Sequence, residues 1–153
     1  MPNTVLIRPA IVSEQKTLEA LQRRASLNNP GDRDALLANP DAIELPLEQI
    51  EANRVFVAEQ DGAILGFSAV LPREDGQTEL DALFVEPRLW RSGVGRLLVE
   101  HCAEVARAQG SSLLHVIGNP HAQGFYAACG FKMIGTIATR FGVGLSLIKA
   151  LSD

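Results

Sequence analysis

Leu83-Phe84-Val85-Glu86-Pro87-Arg88-Leu89-Trp90-Arg91-Ser92-Gly93-Val94-Gly95-Arg96-Leu97-Leu98 is the stretch that decides the fold. It reads as a strand that enters a glycine-bearing turn and leaves as a helix. The helix is predicted over residues 93–109. Val94, Leu97, Leu98, Cys102 and Val105 recur at the 3.6-residue period, with Arg96, Glu100, Glu104 and Arg107 on the other side. Gly110 follows at the position where helices commonly end. The first N–H groups of such a helix have no internal partner and carry the positive end of the helix dipole. They suit an anion, and Gly93 and Gly95 allow one to approach the backbone closely. The segment alone fits a pyrophosphate cradle or a plain strand–helix turn. A dinucleotide fingerprint would need glycine where Leu98 stands, and a P-loop would need Gly-Lys-Ser/Thr; neither is present.

The chain on either side supplies the remaining elements. Val5-Leu6-Ile7 reads as a first strand ended by Arg8-Pro9. Ser13 is placed to cap a helix that carries Leu18, Leu21, Ala25 and Leu27, and Asn28-Asn29-Pro30-Gly31 breaks it. Residues 32–46 read as a long irregular stretch, with Asp34 to Ala38 as one helical turn or two, followed by a short helix over 47–52. Runs 54–59 and 63–71 flank Gln60-Asp61-Gly62, a strong hairpin signal. A third strand covers 78–85. A buried-type strand at 113–117, a helix from Asn119-Pro120 to Ala128, and strands at 131–137 and 142–149 complete the chain. Strand 78–85, helix 93–109 and strand 113–117 form a β-α-β unit, whose crossover makes the two strands parallel. The expectation is one α/β (α+β) domain over 1–153, with a mixed, mostly antiparallel sheet and helices on both faces.

Bulk composition excludes several classes. The 153 residues are 46% hydrophobic and 21% charged, ordinary for a globular domain. A net charge of -4 without a Lys/Arg cluster argues against nucleic acid. No apolar run approaches the ~20 residues of a membrane span, and the N-terminus lacks a signal-peptide pattern. A cytoplasmic location follows as an expectation, with Cys102 and Cys129 as free thiols. No metal-ligand spacing occurs.

A second segment, Asn119-Pro120-His121-Ala122-Gln123-Gly124-Phe125-Tyr126-Ala127-Ala128-Cys129-Gly130-Phe131, contains the chain's one tyrosine. A buried phenol needs a hydrogen-bond partner, which sets Tyr126 apart from an ordinary core aromatic.

With both segments in view, the chain resembles the GNAT N-acetyltransferases. Val85-x-Pro87 followed by Gly93-x-Gly95 and Leu97-Leu98 is similar to their CoA motif. Asn119, Ala122, Phe125-Tyr126 and Gly130-Phe131 are similar to their second motif, in the family's order and separation. One departure is Trp90, where the family usually has Arg or Gln. The resemblance implies acetyl-CoA as co-substrate and a splayed parallel strand pair that admits the pantetheine. It implies cofactor contacts from Leu83, Phe84, Val85, Arg91, Ser92, Gly93, Val94, Gly95, Arg96, Asn119 and Tyr126, with Tyr126 as general acid for the departing thiolate. Glu79 stands where some members carry a base glutamate. Strand alternation puts Glu79, Asp81, Leu83 and Val85 on one face if no bulge intervenes, so Asp81 competes with it. Both also read as plain exposed strand carboxylates. The implied reaction is acetyl transfer to an amine of a small molecule or peptide by direct attack. A non-catalytic acyl-CoA sensor, or a transferase using another short acyl-CoA, is the alternative. Homodimerisation comes with the resemblance alone. The acceptor is expected to be shaped by residues 26–46 and 137–144.

Overall fold

The computed structural model describes residues 4–140 and 142–151. A seven-stranded sheet runs through it in the order β1-β2-β3-β4-β5-β7-β6. The strands are β1 (Leu6–Pro9), β2 (Val55–Gln60), β3 (Ala63–Pro72), β4 (Thr78–Val85), β5 (Leu113–Gly118), β6 (Lys132–Thr139) and β7 (Gly142–Ala150). Every neighbouring pair is antiparallel except β4 and β5. The helices are α1 (Gln15–Leu27), α2 (Pro30–Ala38), α3 (Leu47–Glu51), α4 (Val94–Ala108) and α5 (Gln123–Ala128).

The expected α/β class and single parallel pair are found. The turn between β2 and β3 has Asp61 at φ 52° and Gly62 at φ 80°. Two successive left-handed residues are what a tight hairpin turn demands, and Asp-Gly supplies them at low steric cost.

Two apolar layers sandwich the sheet. On one face, Val94, Leu98, Val99, Cys102, Ala103 and Ala106 of α4 pack over the strands, joined by Tyr126 and Cys129 of the α5 segment. On the other, Leu18 and Leu21 of α1 and Ile50 of α3 pack against Val55, Val57, Phe67 and Ala69. Alternate residues of β2 serve the two layers, as strand geometry requires.

Three local readings are corrected. Pro30 does not merely end α1; it opens the nine-residue helix α2. Proline is favoured in a first helical turn because its missing N–H is one that would go unpaired. Ser13 is not the cap of α1. Val12–Glu14 form a short 3-10 turn whose Glu14 carboxylate accepts the Ile11 N–H at 2.9 Å, and α1 itself begins at Gln15 with no side-chain cap. In α4, Leu97 belongs to the outer side at 41% exposure, and Val99, Ala103 and Ala106 complete the buried stripe.

The two adjacent leucines therefore separate by environment. Leu98→Ala is expected to cost about 2–5 kcal/mol, the range for deleting a buried leucine side chain. Leu97→Ala is expected within about 0.5 kcal/mol of wild type. Denaturant unfolding of the two variants checks both.

Candidate functional site

The site starts from a parting of strands. β4 and β5 pair only at Thr78–Leu114, Glu79–His115 and Leu80–Val116. Beyond Leu80, β4 runs on to Val85 and β5 to Gly118 without facing each other in the ladder. On its other edge β4 stays paired with β3 as far as Val85. The β5-facing edge of residues 81–85 therefore offers backbone groups that no strand uses. Buried or half-buried backbone groups require a partner.

The register explains how the strand is aimed. Ala69 faces Ala82 and Val70 faces Leu80, so Asp81 is an extra, bulged residue. A bulge shifts the alternation that follows it. Leu83 and Val85 pack on the α4 side. Ala82 and Phe84 pack on the α1 side. The bulge thus breaks the uninterrupted alternation, and Glu79 and Asp81 do not share a face with Leu83 and Val85. Asp81 accepts a hydrogen bond from Gln49 of α3, and partial burial raises its carboxyl above the usual carboxylate range despite that bond. Glu79 pairs with Arg73 at 3.4 Å.

At the end of β4 the chain turns into α4 with Arg91 at φ 70° and Gly93 at φ 96°. Nothing lies within 4 Å of the position a Gly93 side chain would take. The first helical bond runs from Leu97 N–H to Gly93 O. The N–H groups of Val94, Gly95 and Arg96 are accordingly without a helical acceptor. Val94 contributes backbone only, since its side chain is buried. Ser92 spends its hydroxyl on Leu89 O, while Arg91 and Arg96 are exposed beside the turn, with Arg96 at 3.2 Å from Glu100. Trp90, 43% exposed, donates its indole N–H to Val85 O at 2.9 Å. The unusual tryptophan therefore ties the turn to the strand end.

The second motif packs directly against this turn. A side chain at Gly95 would meet the Phe125 ring at 3.1 Å, and one at Gly118 would meet the Tyr126 ring at 2.8 Å. Both glycines are needed for close approach rather than for backbone freedom. Tyr126 is buried edge-on to Phe125 and Phe131, with ring centres 5.2 Å and 5.4 Å away. Burial first, then the neighbouring Cys129 and Asp32 carboxylate, push its phenol well above the ordinary value, so it holds its proton at neutral pH. Asn119 caps the turn before α5 by accepting the His121 N–H at 2.9 Å. Its amide donates to Asp32 of α2 at 2.7 Å.

That bond leads to a feature the sequence did not announce. A pocket of about 190 Å³ lies between α1, α2 and the end of β4, lined by Gln22, Ser26, Asp32, Ala35, Leu36, Ala42, Ile43 and Phe84. It occupies the α1 side, while the α4 turn lies on the opposite side of the parted strand. Most of the lining comes from residues 26–46, the region expected to shape the acceptor. Asp32 was not among the candidates, because it stood in what read as an irregular stretch; Pro30 at a helical first turn was the available signal. No group of three His, Cys, Asp or Glu able to hold a metal occurs among the described residues, and no helix there is long and apolar enough to cross a membrane.

Comparison with known proteins agrees with this geometry. Residues 19–131 match the model of the acetyltransferase (GNAT) family. An uncharacterized N-acetyltransferase of Mycobacterium tuberculosis is 32% identical over 92 residues, 58% of each chain. Peptidyl-lysine N-acetyltransferase YjaB of Escherichia coli is 41% identical over 56 residues, 37% of each chain. The chain thus matches little more than half the length of the first of these relatives and about a third of the second. PaiA N-acetyltransferase from Thermoplasma acidophilum, solved with coenzyme A, has the same fold, with a TM-score of 0.76 at 17% identity over 96% of this chain and 99% of that one.

Gly118→Ala is expected to destabilise the protein by about 1–3 kcal/mol, the usual cost of overpacking, because the added methyl lands on the Tyr126 ring. Thermal and denaturant melts check it, with Gly124→Ala in open space as the control.

Proposed function

Because this chain belongs to the acetyltransferase (GNAT) family, we propose that it transfers an acetyl group from acetyl-CoA to a primary amine by direct attack. The observation that carries this reading is the unpaired edge of β4 beside the free N–H groups that open α4. The N–H groups of residues 94–96, with Arg91 and Arg96 beside them, bind the pyrophosphate, where charge-assisted bonds are strong. Leu83 and the Val85 N–H pair through the open edge with the pantetheine, which completes the interrupted ladder, while the Phe84 backbone stays bonded to β3 and Val85 O to Trp90. Gly93 leaves room for the phosphates. Trp90 keeps the turn docked on Val85.

The thioester then lies in the parting, between Tyr126 on one side and the acceptor on the other. The amine nitrogen attacks the carbonyl carbon, the carbon–sulfur bond breaks, the thiolate takes a proton from Tyr126, and the proton that the nitrogen sheds as the amide forms returns to the Tyr126 phenolate. Burial keeps that phenol protonated at neutral pH and also makes it a weaker acid than a free phenol, so the proton moves only as negative charge develops on the sulfur. An alkyl amine has a pKa of about 10.4 and arrives as the ammonium, so a proton must leave before attack. Of the two β4 carboxylates, Asp81 is the better supported acceptor, acting through water. Its side chain is exposed, and the partial burial of its carboxyl still makes it hold a proton more readily than an ordinary one, whereas Glu79 is engaged by Arg73.

Calorimetric titration with acetyl-CoA is expected to give saturable one-to-one binding, abolished by Gly93→Glu, which puts bulk and negative charge at the phosphate position. Absence of binding in folded wild-type protein would remove the proposal. Binding without turnover on any amine would leave an acyl-CoA sensor.

The pH profile of kcat/KM tests the proton carriers. Activity is expected to fall on acidification through a midpoint above the ordinary aspartate value of about 3.9. Asp81→Asn should remove that limb, and Glu79→Gln should leave it. Tyr126→Phe should lower kcat on the order of 10²-fold, the lower end for acid–base catalysis, without moving the limb.

A further inference from the structure

The acetyl-transfer reading leaves the acceptor open, and the pocket between α1 and α2 narrows it. Its lining joins one carboxylate, Asp32, to the hydroxyl of Ser26 and the amide of Gln22. The remainder is apolar: Ala35, Leu36, Ala42, Ile43 and Phe84. No lysine or arginine lines it among the described residues. Its volume of about 190 Å³ is below the roughly 300 Å³ at which pockets begin to hold drug-sized ligands.

The carboxylate sits at the productive end. Asp32 Oδ1 accepts from the Asn119 amide at 2.7 Å, and Asn119 is the cap of the segment that carries Tyr126. Asp32 is close enough to Tyr126 for its charge to oppose ionisation of the phenol. Phe84 is the pocket's residue from the unpaired end of β4. A ligand in the pocket with its cation on Asp32 brings that cation beside Asn119 and near Tyr126, with its body against Leu36, Ile43 and Phe84.

We propose that the acceptor is a small free primary amine with a compact apolar body, and that Asp32 is the specificity-determining residue that receives its ammonium group. The proposal rests on the acetyl-transfer reading. A charged donor on a carboxylate makes a strong hydrogen bond, and the apolar wall rewards burial of the body. An amino acid of the same body would bring an α-carboxylate into a pocket without a counter-cation, beside Asp32 of like sign. A lysine side chain offers the ammonium on an aliphatic stem, but its peptide has to stay outside a pocket this small.

The test uses 3-methylbutylamine and leucine, which share one body and differ by the carboxylate, and 3-methyl-1-butanol, which lacks the charge. Each is titrated calorimetrically into protein saturated with CoA, and acetyl-CoA binding is measured separately. The amine is expected to bind at least about tenfold more tightly than the alcohol, the factor produced by one good charged hydrogen bond, and at least about tenfold more tightly than leucine, whose α-carboxylate meets Asp32 of like sign. Asp32→Asn keeps an oxygen for the Asn119 bond and removes the charge. It should weaken the amine about tenfold and leave both the alcohol and acetyl-CoA unchanged. Acetyl-CoA bound normally while amine affinity is the same in the variant overturns the role of Asp32. Equal or tighter leucine binding, or faster acetylation of a lysine peptide than of the amine, overturns the substrate class. Failure to bind acetyl-CoA at all would instead remove the acetyl-transfer reading beneath it.

Discussion

A hydrogen-bond ladder that stops part way organises this molecule. β4 and β5 run parallel, pair from Thr78 to Leu80, and then part. Parallel strands are usually buried within a sheet that satisfies both edges. Here the sheet continues on both sides of the gap, through β3 on one flank and β7 on the other. The opening is therefore internal, walled by strands rather than left at an edge. An unsatisfied strand edge inside a sheet invites an extended ligand whose amides can take the missing places. The free N–H groups of α4 stand near that opening because the connection from β4, which includes a 3-10 turn at Pro87–Leu89, is tied back to the strand end by the Trp90 bond to Val85 O.

The bulge at Asp81 gives the opening two distinct sides. Before it, Leu80 faces the α4 layer. After it, Leu83 and Val85 do the same, and Phe84 faces the α1 layer. One extra residue thus lets both ends of β4 keep apolar side chains in the α4 core, while Asp81 turns toward α3 and Gln49. Two rings are then set by glycine: Gly95 admits Phe125 and Gly118 admits Tyr126. The Asp32–Asn119 bond joins the two sides, from α2 to the end of β5. The proposed cofactor and acceptor sites thus adjoin each other at Tyr126.

Much of this was legible in the sequence, and the failures have physical causes. The Asp-Gly hairpin, the α4 period and the β-α-β unit depend on local pattern, which sequence reports directly. Gly93 could be read as a helix opening because glycine readily accepts its positive φ. The bulge could not be read, since it depends on which β3 residue faces which β4 residue. That single unknown displaced Glu79 and Asp81 from the face assigned to them. Only the end of α2 is legible, as the turn or two at Asp34 to Ala38, because Pro30 signals a break and a helix start alike, and Asp32 falls in its unread first turn. Trp90 read as a departure from pattern; only its distance to Val85 O reveals a tether. Tyr126 was singled out by its motif, whereas its raised ionisation is a property of burial and neighbours.

Amide hydrogen exchange with and without saturating CoA measures the central claim directly. If the parted strands admit the cofactor, protection rises at residues 81–85 of β4 and at residues 93–96 of the α4 turn, and stays unchanged along β6 and the outer face of α4. Saturable CoA binding with protection elsewhere, and none along that β4 edge, would contradict the account.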